Sequence, residues 1–162
     1  PQWASGVLER LREHDLQASS LEVEVTERVL AGSEDGRAVA NLRALRETGM
    51  DVSVDDFGTG YSSLTYLKQL PLDRIKLDKG FVQDLPDDSD DMAIARAVIH
   101  MGRALGLRIL AEGVETEAQW QFLRQEGAHE GQGFLWHRPE PEPDWAGDLT
   151  AVLNGRTAGA GP

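Results

Sequence analysis

The sequence contains no cysteine among its 162 residues. This absence excludes a disulfide framework and a zinc site built on thiolates. It fits a reducing compartment, because disulfides belong mainly to oxidising environments, and on that ground we expect a cytoplasmic protein. Apolar runs long enough to span a bilayer are also lacking, so we expect no membrane contact from this segment.

Basic residues are scarce as well. Lysine and arginine number 16 against 28 aspartates and glutamates, which gives a formal net charge of -12 at pH 7. This balance argues against binding to polymeric nucleic acid, since such binding requires clustered positive charge along the phosphate backbone. It leaves open a phosphate ligand held by metal ions, because clustered carboxylates recruit such ions.

Helical and strand periodicities alternate along the chain. Strand-like alternation predicts strands at Leu21–Glu27, Asp51–Asp56, Arg74–Asp78, Arg108–Glu112 and Gly133–Trp136. Amphipathic spacing predicts helices around 4–11, 34–48, 62–70, 90–105, 116–127 and 145–153. Glycine ends three of these helices, at Gly49, Gly106 and Gly127, where it supplies the left-handed turn of a short connection. Strands that alternate with helices imply parallel βα units.

The predicted strands carry polar and apolar residues on alternate faces. On the second strand, for example, Val52 and Val54 share one face while Ser53 and Asp55 share the other. An open doubly wound sheet explains the polar face poorly, because helices cover both of its sides. A (β/α) barrel explains it better, since helices cover the apolar outside and polar side chains converge inside, near the rim where barrel enzymes work.

Polar residues recur near the carboxyl ends of these strands. They are Glu24, Glu27, Asp55, Asp56, Lys76, Asp78, Glu112, Glu115 and Gln132. Carboxylates gathered around one lysine predict a site for hard divalent cations with oxygen ligands. Adjacent aspartates suit a two-metal site, which can activate water and stabilise the leaving oxygen in phosphodiester hydrolysis. Any single carboxylate is more simply an ordinary solvated charge, so the hypothesis depends on their recurrence at successive strands.

Five segments of the chain resemble the EAL domain family, in order and at matching spacing. They are Glu24-Val25-Thr26-Glu27, Asp55-Asp56-Phe57-Gly58-Thr59-Gly60-Tyr61-Ser62-Ser63-Leu64, Lys76-Leu77-Asp78, Ala111-Glu112-Gly113-Val114-Glu115-Thr116 and Gln132-Gly133-Phe134. The resemblance implies an α/β fold, a TIM-like (β/α)8 barrel of the EAL type, with the chain covering roughly the last five βα units. We assign residues 1–154 to this domain and expect a flexible tail at 155–162.

The resemblance also implies a function. Family members hydrolyse cyclic di-GMP to the linear dinucleotide pGpG with Mg²⁺ or Mn²⁺, so we expect a metal-dependent phosphodiesterase of bacterial second-messenger signalling. A homodimer, and an upstream sensor or GGDEF-type domain, are compatible with the family. The alternative is a catalytically inactive EAL-type receptor for cyclic di-GMP, or a dimerisation and regulatory module.

The metal ligands that the resemblance implies lie on two strands. Glu24 resembles a ligand of the first metal ion. Asp55 resembles the ligand that bridges both ions, and Asp56 resembles a ligand of the second.

Other matched positions carry catalytic and supporting roles. Lys76 resembles the lysine beside the nucleophilic water, and Glu112 the general base or second-metal partner. Glu115 and Gln132 match further polar positions that bind water, the metal shell or substrate. Glu27 resembles the glutamate that steadies the glycine-rich loop after the aspartate pair, a loop that the family links to dimerisation.

The chain also departs from the family pattern. The Glu-Ala-Leu segment that names the family, and a later asparagine ligand, have no counterpart in the sequence. The resemblance therefore implies that about three opening strands are absent and that the fragment alone is inactive. Smaller departures are His129, where the family often has aspartate, and Trp136-His137, where it often has an aromatic residue and serine.

Overall fold

The computed structural model describes residues 2–26, 37–58 and 67–139. Its helices and strands, in chain order, are α1 (Gln2–Glu13), β1 (Glu22–Thr26), α2 (Arg37–Glu47), β2 (Asp51–Phe57), β3 (Arg74–Leu77), α3 (Ser89–Ala104), β4 (Arg108–Glu112), α4 (Glu117–Glu126) and β5 (Glu130–Gln132). Short 3₁₀ turns occupy Ala18–Ser20 and Lys79–Phe81. None of the helices in the described ranges combines the length and the apolar character that a bilayer crossing requires.

The five strands form one parallel sheet in the order β1-β2-β3-β4-β5. Each strand pairs with the strand that follows it in the sequence. This order is typical of a (β/α) barrel, because a doubly wound sheet reverses its strand order partway across. The predicted fold class is confirmed, and described α-helices follow β1, β3 and β4.

The fifth strand lies earlier than the sequence pattern indicates. The prediction of a strand at Gly133–Trp136 is wrong, since those residues follow Glu130–Gln132, which forms the strand. Gly131 faces outward, where an added Cβ would lie 2.9 Å from the ring of Trp120. Trp120 and Trp136 meet edge to face there, with ring centroids 5.3 Å apart. Trp136, within the segment predicted to be a strand, therefore packs on the outside of the sheet.

The remaining predictions of helices and turns are confirmed where the structure describes them. Gly49, Gly106 and Gly127 all follow helices with positive φ, at 96°, 74° and 101°. Thr116 caps α4 through a hydrogen bond that its side chain accepts from the backbone of Gln119. The predicted helix at 145–153, the tail at 155–162 and most of the predicted helix at 62–70 lie outside the described residues.

The hydrophobic core lies between the outer face of the sheet and the helices. Five of the strand residues that face it are fully buried: Val52, Val54, Ile75, Leu77 and Ile109. Helix α3 approaches β4 closely at Gly102, where a Cβ would collide with the side chain of Ile109. The apolar face thus points outward to the helices, as the alternation predicts.

The inner face of the sheet is polar, and at the amino ends of the strands it is ion-paired. Arg74 pairs with Glu22 on β1 and, at 3.0 Å, with Glu130 on β5. Arg108 on β4 pairs with Asp51 on β2 and, at 3.6 Å, with Glu130. These five residues, which we call the floor network, connect all five strands. Arg74 is the most buried of the five, and two carboxylates compensate its charge, as a charge withdrawn from water requires.

His129 joins the start of β4 to the start of β5. Its side-chain Nδ1 accepts a hydrogen bond from the backbone N–H of Ile109 at 3.0 Å, and the backbone N–H of His129 donates to the Ile109 carbonyl at 3.0 Å. His129→Ala should lower the free energy of unfolding by about 1 kcal/mol, because a backbone donor loses its acceptor. His129→Asp, which retains an acceptor, should lower it less. Urea denaturation measures both values, and equal losses would contradict the role of the acceptor.

Candidate functional site

Lys76 lies at the centre of a group of carboxylates near the carboxyl ends of the strands. Its Nζ is 2.8 Å from Glu24 Oε1, 2.9 Å from Asp55 Oδ1 and 2.9 Å from Glu112 Oε1. The lysine is only 6% exposed, whereas half of the Glu24 side chain is open to solvent. The four residues come from β1, β2, β3 and β4, so their predicted convergence at one end of the sheet is confirmed.

The protonation of Lys76 follows from these contacts. Burial by itself lowers the pKa of Lys76, but hydrogen bonds to Glu24, Glu112 and Asp55 outweigh burial and raise this pKa above the ordinary range of lysine. The side chain is therefore a cation at neutral pH. It binds together three carboxylates that would otherwise repel one another.

A bulge in β2 brings both adjacent aspartates to the same site. Neighbours on a regular strand point to opposite faces of the sheet. Between Val54 and Phe57 the register with β3 shifts, and Asp56 adopts a left-handed φ of 53°. This bulge re-aims the second aspartate. As a result, oxygen atoms of Asp55, Asp56 and Glu112 all lie within 4.8 Å of one another.

These three carboxylates, which we call the acidic cluster, are suited to a divalent cation. Their oxygen atoms are the hard ligands that Mg²⁺ and Mn²⁺ prefer. Desolvation, together with the negative charges of Asp55 and Asp78, raises the pKa of Asp56 above its usual range. The same crowding of negative charge that disfavours ionisation of Asp56 favours the binding of a cation. Glu24 contacts the acidic cluster through Lys76.

Two further predicted site residues lie at the same rim. Gln132 pairs with Glu112 in the register of β4 and β5, and its carbonyl accepts a hydrogen bond from the Val114 N–H at 3.0 Å. Glu115 follows three residues after Glu112, and the side chains of Glu115 and Gln132 are both exposed. Both residues thus lie just past or at the carboxyl ends of β4 and β5, on the side of the sheet where Glu112 lies.

The predicted contact between Glu27 and the glycine-rich loop stays a prediction. Glu27 and residues 59–66 lie outside the described residues. Gly58, the residue directly after β2, has a φ of 101°. The chain therefore leaves the bulge through a conformation that favours glycine.

Gln119 is not among the residues that the sequence analysis indicates. It lies in the first turn of α4, yet it is only 4% exposed. Its Oε1 accepts hydrogen bonds from the backbone N–H groups of Glu115 and Thr116, at 2.7 and 2.9 Å. The spacing Thr116-x-x-Gln119 is the signature of a capping box, and this signal in the sequence points to the contact with Thr116.

A protein-family model and several known proteins are similar to this chain in sequence. The family model of the EAL domain matches residues 1–139. The bifunctional diguanylate cyclase/cyclic di-GMP phosphodiesterase MucR of Pseudomonas aeruginosa is 50% identical over 131 residues. The matched region is 81% of this chain but only 19% of the length of MucR.

Solved structures share the fold. The cyclic di-GMP complex of the MucR phosphodiesterase superposes with a TM-score of 0.77 at 48% identity, over 85% of this chain and 55% of that chain. The manganese and cyclic di-GMP complex of Klebsiella pneumoniae BlrP1 at pH 6 gives a TM-score of 0.77 at 35% identity, over 86% and 35% of the two chains.

Proposed function

Because the chain belongs to the EAL domain family, we propose that it provides catalytic residues of a metal-dependent phosphodiesterase that hydrolyses cyclic di-GMP. The observation that carries this proposal is the acidic cluster, whose members Asp55 and Glu112 each lie 2.9 Å from the ammonium group of Lys76. The similarity to MucR, which is named a cyclic di-GMP phosphodiesterase and whose structure contains that nucleotide, supports the choice of substrate.

The carboxylates of the site would serve as metal ligands. Asp55, Asp56 and Glu112 would hold Mg²⁺ or Mn²⁺, with Glu24 as a further ligand on the neighbouring strand. Bound divalent ions activate water and stabilise the leaving oxygen of a phosphodiester. The BlrP1 complex, which contains manganese together with the nucleotide, supports this choice of metal. Cleavage of one of the two phosphodiester bonds would open the ring and give pGpG.

Lys76 would act through its fixed charge. Its ammonium group is oriented by three carboxylates and is shielded from bulk water, so it is preorganised to stabilise negative charge at the attacking oxygen or on the phosphate. As the alternative to holding the metal, Glu112 would accept the proton of the attacking water as general base. Glu115 and Gln132, exposed at the rim, would contact substrate or water.

The proposal is tested by incubating the purified native protein with cyclic di-GMP and separating the products by chromatography. We expect pGpG to form with Mg²⁺ or Mn²⁺ and its formation to stop when EDTA removes the metal, because the proposed reaction needs bound ions to lower the pKa of the attacking water and to stabilise the leaving oxygen. Nucleotide binding without turnover in either metal would instead support the alternative, a catalytically inactive receptor or regulatory module.

We propose further features of the protein by the same reasoning. The name of MucR couples diguanylate cyclase activity to the phosphodiesterase, which supports a GGDEF-type or sensor domain as a partner in the same polypeptide. Homodimerisation through the glycine-rich loop steadied by Glu27, and a cytoplasmic location, are proposed from the family. Residues 1–154 are proposed as the segment of the EAL domain and 155–162 as a tail.

We also propose that residues 1–162 expressed alone do not hydrolyse cyclic di-GMP. In the described sheet β1 pairs with β2 and β5 pairs with β4, so each of these outer strands has one edge open to other chains. A closed barrel has no such edges. We expect the isolated polypeptide to aggregate and to show no turnover. A monomer by sedimentation that unfolds cooperatively and hydrolyses the nucleotide would contradict this expectation.

A further inference from the structure

The loop that follows β4 lies at the junction of three strand ends. Gly113 has a φ of 69°, and an added Cβ there would lie 2.6 Å from Cβ of Lys79, in the turn after β3. Val114 is fully buried. Its N–H donates to the carbonyl of Gln132, and its carbonyl accepts from the N–H of Leu135, both at 3.0 Å. The loop is thus packed against the turn after β3 and hydrogen-bonded to the chain after β5.

The side chain of Gln119 completes this arrangement on the side of β3. Besides accepting from the backbone of Glu115 and Thr116, it donates from Nε2 to the carbonyl of Gln83 at 2.9 Å. Gln83 belongs to the segment after β3, 36 residues away in the sequence. One amide group therefore connects the loop after Glu112 to the segment that follows Lys76.

We infer that Gln119 is a positioning residue, which fixes the loops after β3 and β4 relative to each other and so aligns Lys76 with Glu112. This inference rests on the proposed function. A capping box requires only that the residue accept hydrogen bonds, and glutamate serves that purpose equally well. The contact with the Gln83 carbonyl requires a donor, which an amide has and a carboxylate lacks. The amide therefore serves the connection between the loops as well as the helix cap.

Burial makes this connection specific. The side-chain amide of Gln119 is buried, so water does not readily replace a hydrogen-bond partner that it loses. A donor or acceptor left without a partner there costs free energy. Both polar atoms of the Gln119 side chain bond to backbone groups. These hydrogen bonds therefore fix the backbone of the two loops directly. Outer-shell partners that orient metal ligands typically change activity by about 10- to 100-fold when they are replaced, and we expect the lower end for Gln119 because it acts through the backbone.

The test compares two variants of the native protein. Gln119→Glu keeps the acceptor for Glu115 and Thr116 but places a carboxylate oxygen against the Gln83 carbonyl. We expect kcat for cyclic di-GMP to fall about tenfold with KM changed less than about twofold. Backbone hydrogen exchange should become faster in 79–85 and 113–116. Thr116→Ala, the matched control, removes the cap hydroxyl but none of the contacts of the Gln119 side chain, so it should lower the unfolding midpoint and leave kcat unchanged.

A pH series separates positioning from general destabilisation. Protonation of the introduced carboxyl restores a donor toward Gln83, and burial raises the pKa of a carboxyl group. The ratio of exchange rates, Gln119→Glu over wild type, should therefore fall as the pH is lowered toward about 5. Unchanged exchange in Gln119→Glu, or an equal loss of kcat in Thr116→Ala, would overturn the inference. If the wild type shows no turnover, the proposed function fails, and the exchange ratio alone still decides whether Gln119 couples the two loops.

Discussion

Asp55→Asn should reduce the proposed hydrolysis of cyclic di-GMP by at least about a thousandfold, because a carboxylate that bridges two metal ions, the role we propose for Asp55, would contribute several kcal/mol to the site. The Asp55 carboxylate belongs to the acidic cluster and also pairs with Lys76 at 2.9 Å. An amide preserves its size but removes the charge on which both a metal ion and the lysine depend. Weaker metal binding and the lost contact with Lys76 both slow the hydrolytic step, so a higher metal concentration alone should not restore the rate.

Asp78→Asn is the matched control for this variant. Asp78 lies one residue after β3, and its carboxylate accepts a hydrogen bond from the Gly80 N–H at 2.8 Å. Asparagine caps a turn in the same way, so the loss of activity should be far smaller. Hydrolysis rates across a range of Mg²⁺ or Mn²⁺ concentrations, with metal affinity from calorimetry, measure both variants. Equal losses would contradict the bridging role that we propose for Asp55.

Lys76→Met should destabilise the metal-free protein by roughly 2 kcal/mol and make its stability depend strongly on metal. Removing one partner from a buried ion pair leaves the other charges uncompensated, which costs about 3–5 kcal/mol when burial is complete. The value is discounted here because half of the Glu24 side chain is exposed. A divalent cation would replace the lost positive charge, so it should stabilise the variant more than the wild type.

Urea denaturation with and without Mg²⁺ measures this effect. Lys68→Met is the control, since Lys68 is an exposed lysine outside the site and its loss should change stability little. If Lys76→Met proves as stable as the control, or if metal stabilises both variants equally, Lys76 does not act as the compensating charge of the cluster.

The fold could be predicted from the sequence because one physical pattern repeats along it. Val52, Val54, Ile75 and Leu77 alternate with polar neighbours, and a parallel sheet covered by helices on one face only must enclose the other face. The gathering of Glu24, Asp55, Lys76 and Glu112 follows from the same geometry, because the carboxyl ends of parallel strands share an edge. The sequence pattern therefore predicts both the fold and the central part of the site.

Features that depend on irregular backbone or on long-range contacts could not be predicted in this way. Strict alternation places Asp56 on the face opposite Asp55, and only the left-handed φ at Asp56 returns it to the site. The contact of Gln119 with Gln83 joins two loops whose spacing depends on the packed structure. The segment Gly133–Trp136 alternates like a strand in the sequence, but the strand ends at Gln132 and Trp136 packs edge to face on Trp120.

The bulge in β2 also sets a condition for protein engineering. A designer who copied the Asp-Asp pair onto a straight strand of another barrel would send one carboxylate into the apolar layer beneath the helices, where an unpaired charge is strongly disfavoured. The transferable unit is the pair together with its extra residue against the neighbouring strand and its left-handed backbone at Asp56. Grafts should be chosen first for a backbone that already contains this kink, and only then for the identity of the side chains.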